Sequence, residues 1–88
     1  MAATKDGDAT DVDLLDAVRR GDREALHELY RRHAARVHLA ARVVARRRRL
    51  DPDDLTVAAF VSLFRSPGEA VRPPRQELVR RVARLAAS

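Results

Sequence analysis

Acidic side chains are the first candidates for chemistry in this 88-residue chain. Asp51, Asp53 and Asp54 lie close together, and paired carboxylates can act as general acid and base. The same aspartates stand at a predicted helix start, where capping explains them, and no histidine or nucleophile follows nearby in sequence. We therefore expect no catalytic residue and no enzymatic activity.

Histidines are the remaining candidates for metal ligands. His33 and His38 are separated by five positions, whereas a separation of four would bring two rings to one helix face. The chain has no cysteine, so a thiolate metal site and a disulfide are both excluded. It also lacks a glycine-rich phosphate loop. The sequence thus predicts no metal, no cofactor and no small-molecule substrate.

Arginine supplies seventeen of the eighteen basic residues, and the net charge of +5 is unevenly distributed. Residues 31–50 carry eight bases and no acid. Guanidinium groups bind phosphate and carboxylate in a bidentate fashion. Two interpretations remain open, a nucleic-acid surface or a solvated charge cluster that ends a helix. The candidate nucleic-acid-binding residues are Arg46, Arg47, Arg48, Arg49, Arg75, Arg80, Arg81 and Arg84.

The spacing of apolar residues predicts an all-α fold, a small bundle of about four helices. Residues 1–10 contain too little apolar surface to fold and are predicted to form a disordered acidic tail. Residues 11–88 are predicted to form a single helical domain, since the chain is long enough for only one. The predicted helices cover residues 12–20, 23 to between 46 and 49, 52–64 and 75–86.

Local signals set the predicted helix ends. Asp11, Asp22 and Asp51 are the expected N-caps, and Pro52 suits the first turn of the third helix. Gly21 is expected to end the first helix in the left-handed conformation. The second helix has the strongest periodicity in the chain, with apolar-face residues at Leu26, Leu29, Tyr30, His33, Val37, Ala40, Ala41 and Val44.

The third helix is apolar on nearly every side, which indicates either full burial or an interaction surface. Val57, Phe60, Val61 and Phe64 form the predicted inward set. The opposite side is then a smooth face of small residues that another helix could approach. The candidate partner-binding residues at this face and its start are Asp54, Leu55, Thr56, Ala58, Ala59 and Ser62.

The order of these motifs resembles region 2 of the sigma-70 family, particularly the small extracytoplasmic-function sigma factors. The matching residues are Leu14-Leu15, Gly21-Asp22, Ala25, Leu26, Leu29, Tyr30-Arg31-Arg32-His33, Arg36-Val37, Asp51 to Leu55, Phe60, and Leu63 to Arg65. The resemblance implies that the first two helices are scaffold and that the third docks on core RNA polymerase. It implies that the following loop and helix contact and melt promoter DNA.

The chain departs from the family pattern at two places. Val57-Ala58 replaces a polar Gln-Glu pair, and Arg75 and Leu78 stand where aromatic residues are expected. Three functions therefore remain open. The first is a sigma region 2 module that associates with RNA polymerase and promoter DNA. The second is a divergent regulator that binds a helical protein, for example an anti-sigma factor, without promoter melting. The third is a non-specific basic nucleic-acid-binding protein.

Hydropathy along the chain bears on location. No apolar run approaches the roughly 18 residues of a membrane span, and the acidic N-terminus lacks the apolar core of a signal peptide. We therefore expect a cytoplasmic protein with no membrane partner.

Overall fold

The computed structural model describes residues 9–69 and 72–87. Its four α-helices are α1 (Asp11–Arg19), α2 (Arg23–Arg48), α3 (Pro52–Arg65) and α4 (Pro74–Ala87), with a one-turn 3₁₀ helix at Pro67–Glu69. Every regular element in these ranges is helical, which confirms the predicted all-α bundle of four helices. The prediction of a tail falls mostly on residues 1–8, which lie outside the described residues.

A single row of buried side chains runs along α2 and organises the core. At every fourth position from residue 25 to residue 45, one side chain is buried, and α1, α3 and α4 all pack against this helix. Each four-residue step turns by about 40°, so the row winds about 200° around α2 between its two ends, and α1, α3 and α4 pack at different places around the same helix. The row consists of Ala25, Leu29, His33, Val37, Ala41 and Ala45.

Two of the three predicted N-caps are confirmed. The Asp22 side chain accepts hydrogen bonds from the backbone N–H groups of Glu24 and Ala25, at 2.9 and 3.2 Å. The Asp51 side chain accepts one from the Asp53 N–H at 2.8 Å, and Pro52 is the first residue of α3. These acids satisfy donors that the first helical turn leaves without partners.

The predicted cap of α1 is wrong by one residue. Thr10 is the N-cap, and its hydroxyl accepts a hydrogen bond from the Asp13 N–H at 3.1 Å while the Asp13 carboxylate accepts from the Thr10 N–H. This reciprocal capping box satisfies two backbone donors together. Asp11 is instead the first helical residue, and its carboxylate lies 2.9 Å from Nε2 of His33 on α2.

The predicted inward face of α3 is also wrong. Val57 and Val61 are 48 and 40 % exposed, and of the predicted inward set only Phe60 is buried, with Phe64 half-buried. A helix that is apolar all round has no periodicity to fix its orientation, so the packing of its neighbours decides which face is buried. The buried residues of α3 are Leu55, Thr56, Ala59, Phe60 and Leu63.

The turn between α1 and α2 requires a left-handed residue, and Gly21 supplies it at φ +86°. A Cβ built on Gly21 or on Gly68 would meet no atom within 4 Å, but Gly68 is not left-handed. The two glycines therefore differ in backbone conformation and share open surroundings.

We predict that Gly21→Ala lowers the free energy of unfolding by about 1–2 kcal/mol, because an L-residue is strained in the left-handed region. Gly68→Ala is the matched control and should leave stability unchanged or slightly raised. Urea unfolding followed by circular dichroism measures both. Equal effects of the two substitutions would contradict a conformational role for Gly21.

Candidate functional site

An exposed apolar groove lies between α2 and α3. Tyr30 and Val57 line two adjoining depressions, of about 510 and 260 Å³, so the two form one continuous surface. Tyr30, Val57 and Val61 are each 40–48 % exposed, which is unusual for large apolar side chains in one cluster. We call this surface the α2–α3 groove; its other lining residues are Leu26, His27, Ala34, Ala35, His38, Leu39, Asp53, Thr56 and Phe60.

Two contacts between α2 and α3 hold the walls of this groove. The rings of Tyr30 and Phe60 meet edge to face with centroids 4.9 Å apart. Nearer the start of α3, His38 Nε2 lies 2.8 Å from a carboxylate oxygen of Asp53. Because Asp53 pairs with residue 38 and Phe60 with residue 30, the two helices run antiparallel. The groove therefore has an apolar floor and a polar end.

The predicted partner-binding face of α3 needs correction. Leu55, Thr56 and Ala59 are buried within the bundle, so they offer a partner almost no surface, although Thr56 adjoins the α2–α3 groove. The Thr56 hydroxyl donates a hydrogen bond to the Pro52 carbonyl at 2.8 Å. Asp54 is exposed, while Ala58 and Ser62 are half-buried.

Sequence reasoning missed the residues of α3 that do face outward. Val57 and Val61, four positions apart, share an exposed face because Leu55, Ala59 and Leu63 take the inward row. The inward row has the same four-residue step, so spacing favoured neither row. Side-chain bulk gives no signal either, because the predicted inward set already contained both Phe60 and Phe64.

The candidate nucleic-acid-binding arginines fall into two exposed groups and one exception. Arg46 to Arg49 lie at the C-terminal end of α2, and Arg75, Arg80 and Arg84 lie on α4; all are exposed. Within residues 9–69 and 72–87, no ion pair involves Arg46 to Arg49. The guanidinium groups of Arg46 to Arg49 are therefore accessible to an anionic partner.

Arg81 is the exception, and its assignment to a nucleic-acid surface is wrong. Its side chain is fully buried, and Nε donates to the Glu77 carboxylate at 2.7 Å. The two terminal nitrogens donate to the Ser62 hydroxyl at 3.1 Å and to the Ser66 carbonyl at 2.8 Å. The guanidinium thus joins α4 to the end of α3 and cannot reach a phosphate.

Glu77 completes this buried pair. Its second carboxylate oxygen makes no hydrogen bond and has the guanidinium of Arg72 at 3.6 Å. The sequence signal for the pair was an acid and an arginine four positions apart on the helix. The same spacing also suits an exposed pair, so only the surrounding helices distinguish the two cases.

A second charged cluster links α1 to α2. Glu28 accepts hydrogen bonds from Arg31 and from Nε of Arg32 at 2.9 Å, and Arg32 also pairs with Asp11 at 3.2 Å. The hydrogen bond from Arg32 is the main cause that lowers the pKa of Glu28, and burial opposes it. The same bond raises the pKa of Arg32. This cluster stabilises the fold and does not line the α2–α3 groove.

Comparison with known proteins adds no relative. No family model matches the chain, and no curated protein or solved structure matches it. Among residues 9–69 and 72–87, no helix is long and apolar enough to cross a membrane. In the same ranges no three His, Asp or Glu side chains lie close enough together to hold a metal ion.

We predict that Arg81→Met destabilises the fold by about 3–5 kcal/mol, because Glu77 is left buried without its partner. Replacing both, as Glu77→Leu with Arg81→Met, should recover most of that loss. Arg80→Met, at the exposed neighbouring position, is the control and should change little. Chemical unfolding followed by circular dichroism measures the stability of these three variants. Equal stability of the Arg81→Met and Arg80→Met variants would contradict the buried pair.

We predict that the fold loses stability as the pH falls and that this loss is smaller in the Glu28→Gln variant. The folded pKa of Glu28 lies below its ordinary value of 4.5, so its stabilisation is complete above that value and is lost as pH falls through the folded pKa. Thermal unfolding of both proteins between about pH 6 and pH 3 measures the effect, since this range brackets the pKa of an ordinary glutamate. If the unfolding temperatures of the unmodified chain and of the Glu28→Gln variant fell in parallel with pH, a stabilising role for the Glu28 carboxylate would be contradicted.

Proposed function

We propose that this chain is a sigma region 2-like module that docks on a helical protein through the α2–α3 groove, with core RNA polymerase as the first candidate partner. The observation that supports the proposal is the cluster of exposed Tyr30, Val57 and Val61 between two antiparallel helices. Apolar grooves of this kind receive the apolar face of an amphipathic helix.

The position of the groove agrees with the sigma resemblance. The resemblance implies that the helix after the Asp51 to Leu55 motif carries the docking residues, and Val57 and Val61 are on that helix. Thr56 is buried and hydrogen-bonded to Pro52, so it belongs to the scaffold. Val57 is exposed where the family pattern has a polar residue, which favours a docking contact with more apolar character.

The second candidate function is non-specific binding of nucleic acid. It is favoured by the exposed arginines at the end of α2 and on α4, which could neutralise phosphates. Base stacking contributes little to it, because Phe60 is buried and Tyr30 packs against Phe60. Such binding would be largely insensitive to base sequence and steeply dependent on salt.

We predict that the chain retains core RNA polymerase in a pull-down and that Val57→Glu with Val61→Glu weakens retention at least about tenfold, since two carboxylates would be buried in the contact. Val12→Glu is the matched control, because Val12 is 65 % exposed on α1. This control should bind as the unmodified chain does.

A version that restores the family pattern, Val57→Gln with Ala58→Glu, separates the remaining alternatives. Binding by the restored version alone would mean that the natural chain docks on a different helical protein. If neither version binds polymerase, the proposal fails. Tight, salt-sensitive binding to duplex DNA in the same experiments would then favour the second candidate.

A further inference from the structure

The C-terminal half of α2 carries a second exposed apolar surface. Leu39 and Val43, one helical turn apart, are 56 and 65 % exposed. Arg42, Arg46 and Arg47 surround them. The five side chains stand out from the surface of α2, and the shallow depression between them measures about 380 Å³. We call these five residues the outer ridge.

The outer ridge points away from the bundle. At 100° per residue, the direction midway between Leu39 and Val43 lies about 160° from that midway between Ala41 and Ala45. Ala41 and Ala45 are buried, at 0 and 2 % exposure. Rotating α2 to bury the ridge would expose the core row, so a partner from outside the bundle is needed to cover it.

The charge of the outer ridge indicates the charge that a partner must carry. Arg42, Arg46 and Arg47 are exposed, and no ion pair involves them within the described part of the chain. Residues 31–50 contain no acid that could neutralise them locally. A second copy placed ridge against ridge would oppose arginine with arginine, so the complementary surface is acidic.

The aliphatic side chains indicate the chemical class of that partner. Nucleic acid would satisfy the arginines but would leave the methyl groups of Leu39 and Val43 against charged phosphates, and the ridge has no aromatic ring for base stacking. A membrane-surface helix needs a broad apolar face with large side chains. Two aliphatic residues flanked by arginines form a narrower stripe than that.

We propose that the outer ridge docks an acidic amphipathic helix of a partner protein. Apolar side chains at steps of three and four on that helix would pack on Leu39 and Val43. Its carboxylates on either side would pair with Arg42, Arg46 and Arg47, for which guanidinium–carboxylate geometry is well suited. The ridge adjoins the α2–α3 groove at Leu39, but the inference does not depend on polymerase docking.

The test is a fluorescence anisotropy titration of the full chain against a labelled synthetic helix with leucines on one face and glutamates on both flanks. Saturable binding that weakens with added salt is expected. Leu39→Ala with Val43→Ala should weaken binding about tenfold, as should Arg46→Ala with Arg47→Ala. Val12→Ala and Arg80→Ala are matched controls at exposed positions and should bind as the unmodified chain does.

Three results would overturn the proposal. The first is equal binding of a control peptide with serines in place of the leucines, which would reduce the contact to charge attraction alone. The second is unchanged affinity in the Leu39→Ala and Val43→Ala variant while its circular dichroism confirms folding. The third is tighter binding of duplex DNA or of phosphatidylserine vesicles than of the acidic peptide, which would assign the arginines to phosphate.

Discussion

The buried row along α2 is the constraint on which the rest of the fold depends. Three shorter helices pack around α2, and alanine at Ala25, Ala41 and Ala45 in its buried row allows close approach. In the C-terminal half of α2, the buried Val37, Ala41 and Ala45 span only about 80° of the helix circumference, so the opposite side of that half stays exposed. Residues on that side, among them Leu39 and Val43, are available to partners because the bundle is complete without them.

The buried pair of Glu77 and Arg81 adds a second constraint, on the register of α4. A shift of α4 along α3 would separate Arg81 from Ser62 and Ser66 and leave a buried charge without its hydrogen bonds. The pair therefore disfavours alternative registers of α4, whatever it adds to stability. It also divides the arginines of α4 by role, with Arg81 in the core and Arg75 and Arg80 outside.

Sequence reasoning succeeded at two of the three predicted N-caps, where the signal is local, and placed the third one residue too late. Asp22, Asp51 and Pro52 define helix starts through contacts within three residues, and these predictions are confirmed. It failed where neighbouring helices decide. The inward face of α3 depends on its packing partners, and the burial of Arg81 depends on Ser62 and Ser66, which are 19 and 15 positions away. The groove was missed for the same reason, since Val57 and Val61 have the spacing of core residues.

Hydrogen–deuterium exchange of the chain bound to core RNA polymerase tests the proposed docking surface most directly. Backbone amides that a bound partner covers exchange their hydrogens more slowly. The exchange rate is measured for each segment of the chain, so the covered segments can be identified. Docking through the α2–α3 groove predicts slower exchange in residues 26–39 and 53–61, with little change in α4. Protection confined to α4, or no protection in any segment, would contradict the account.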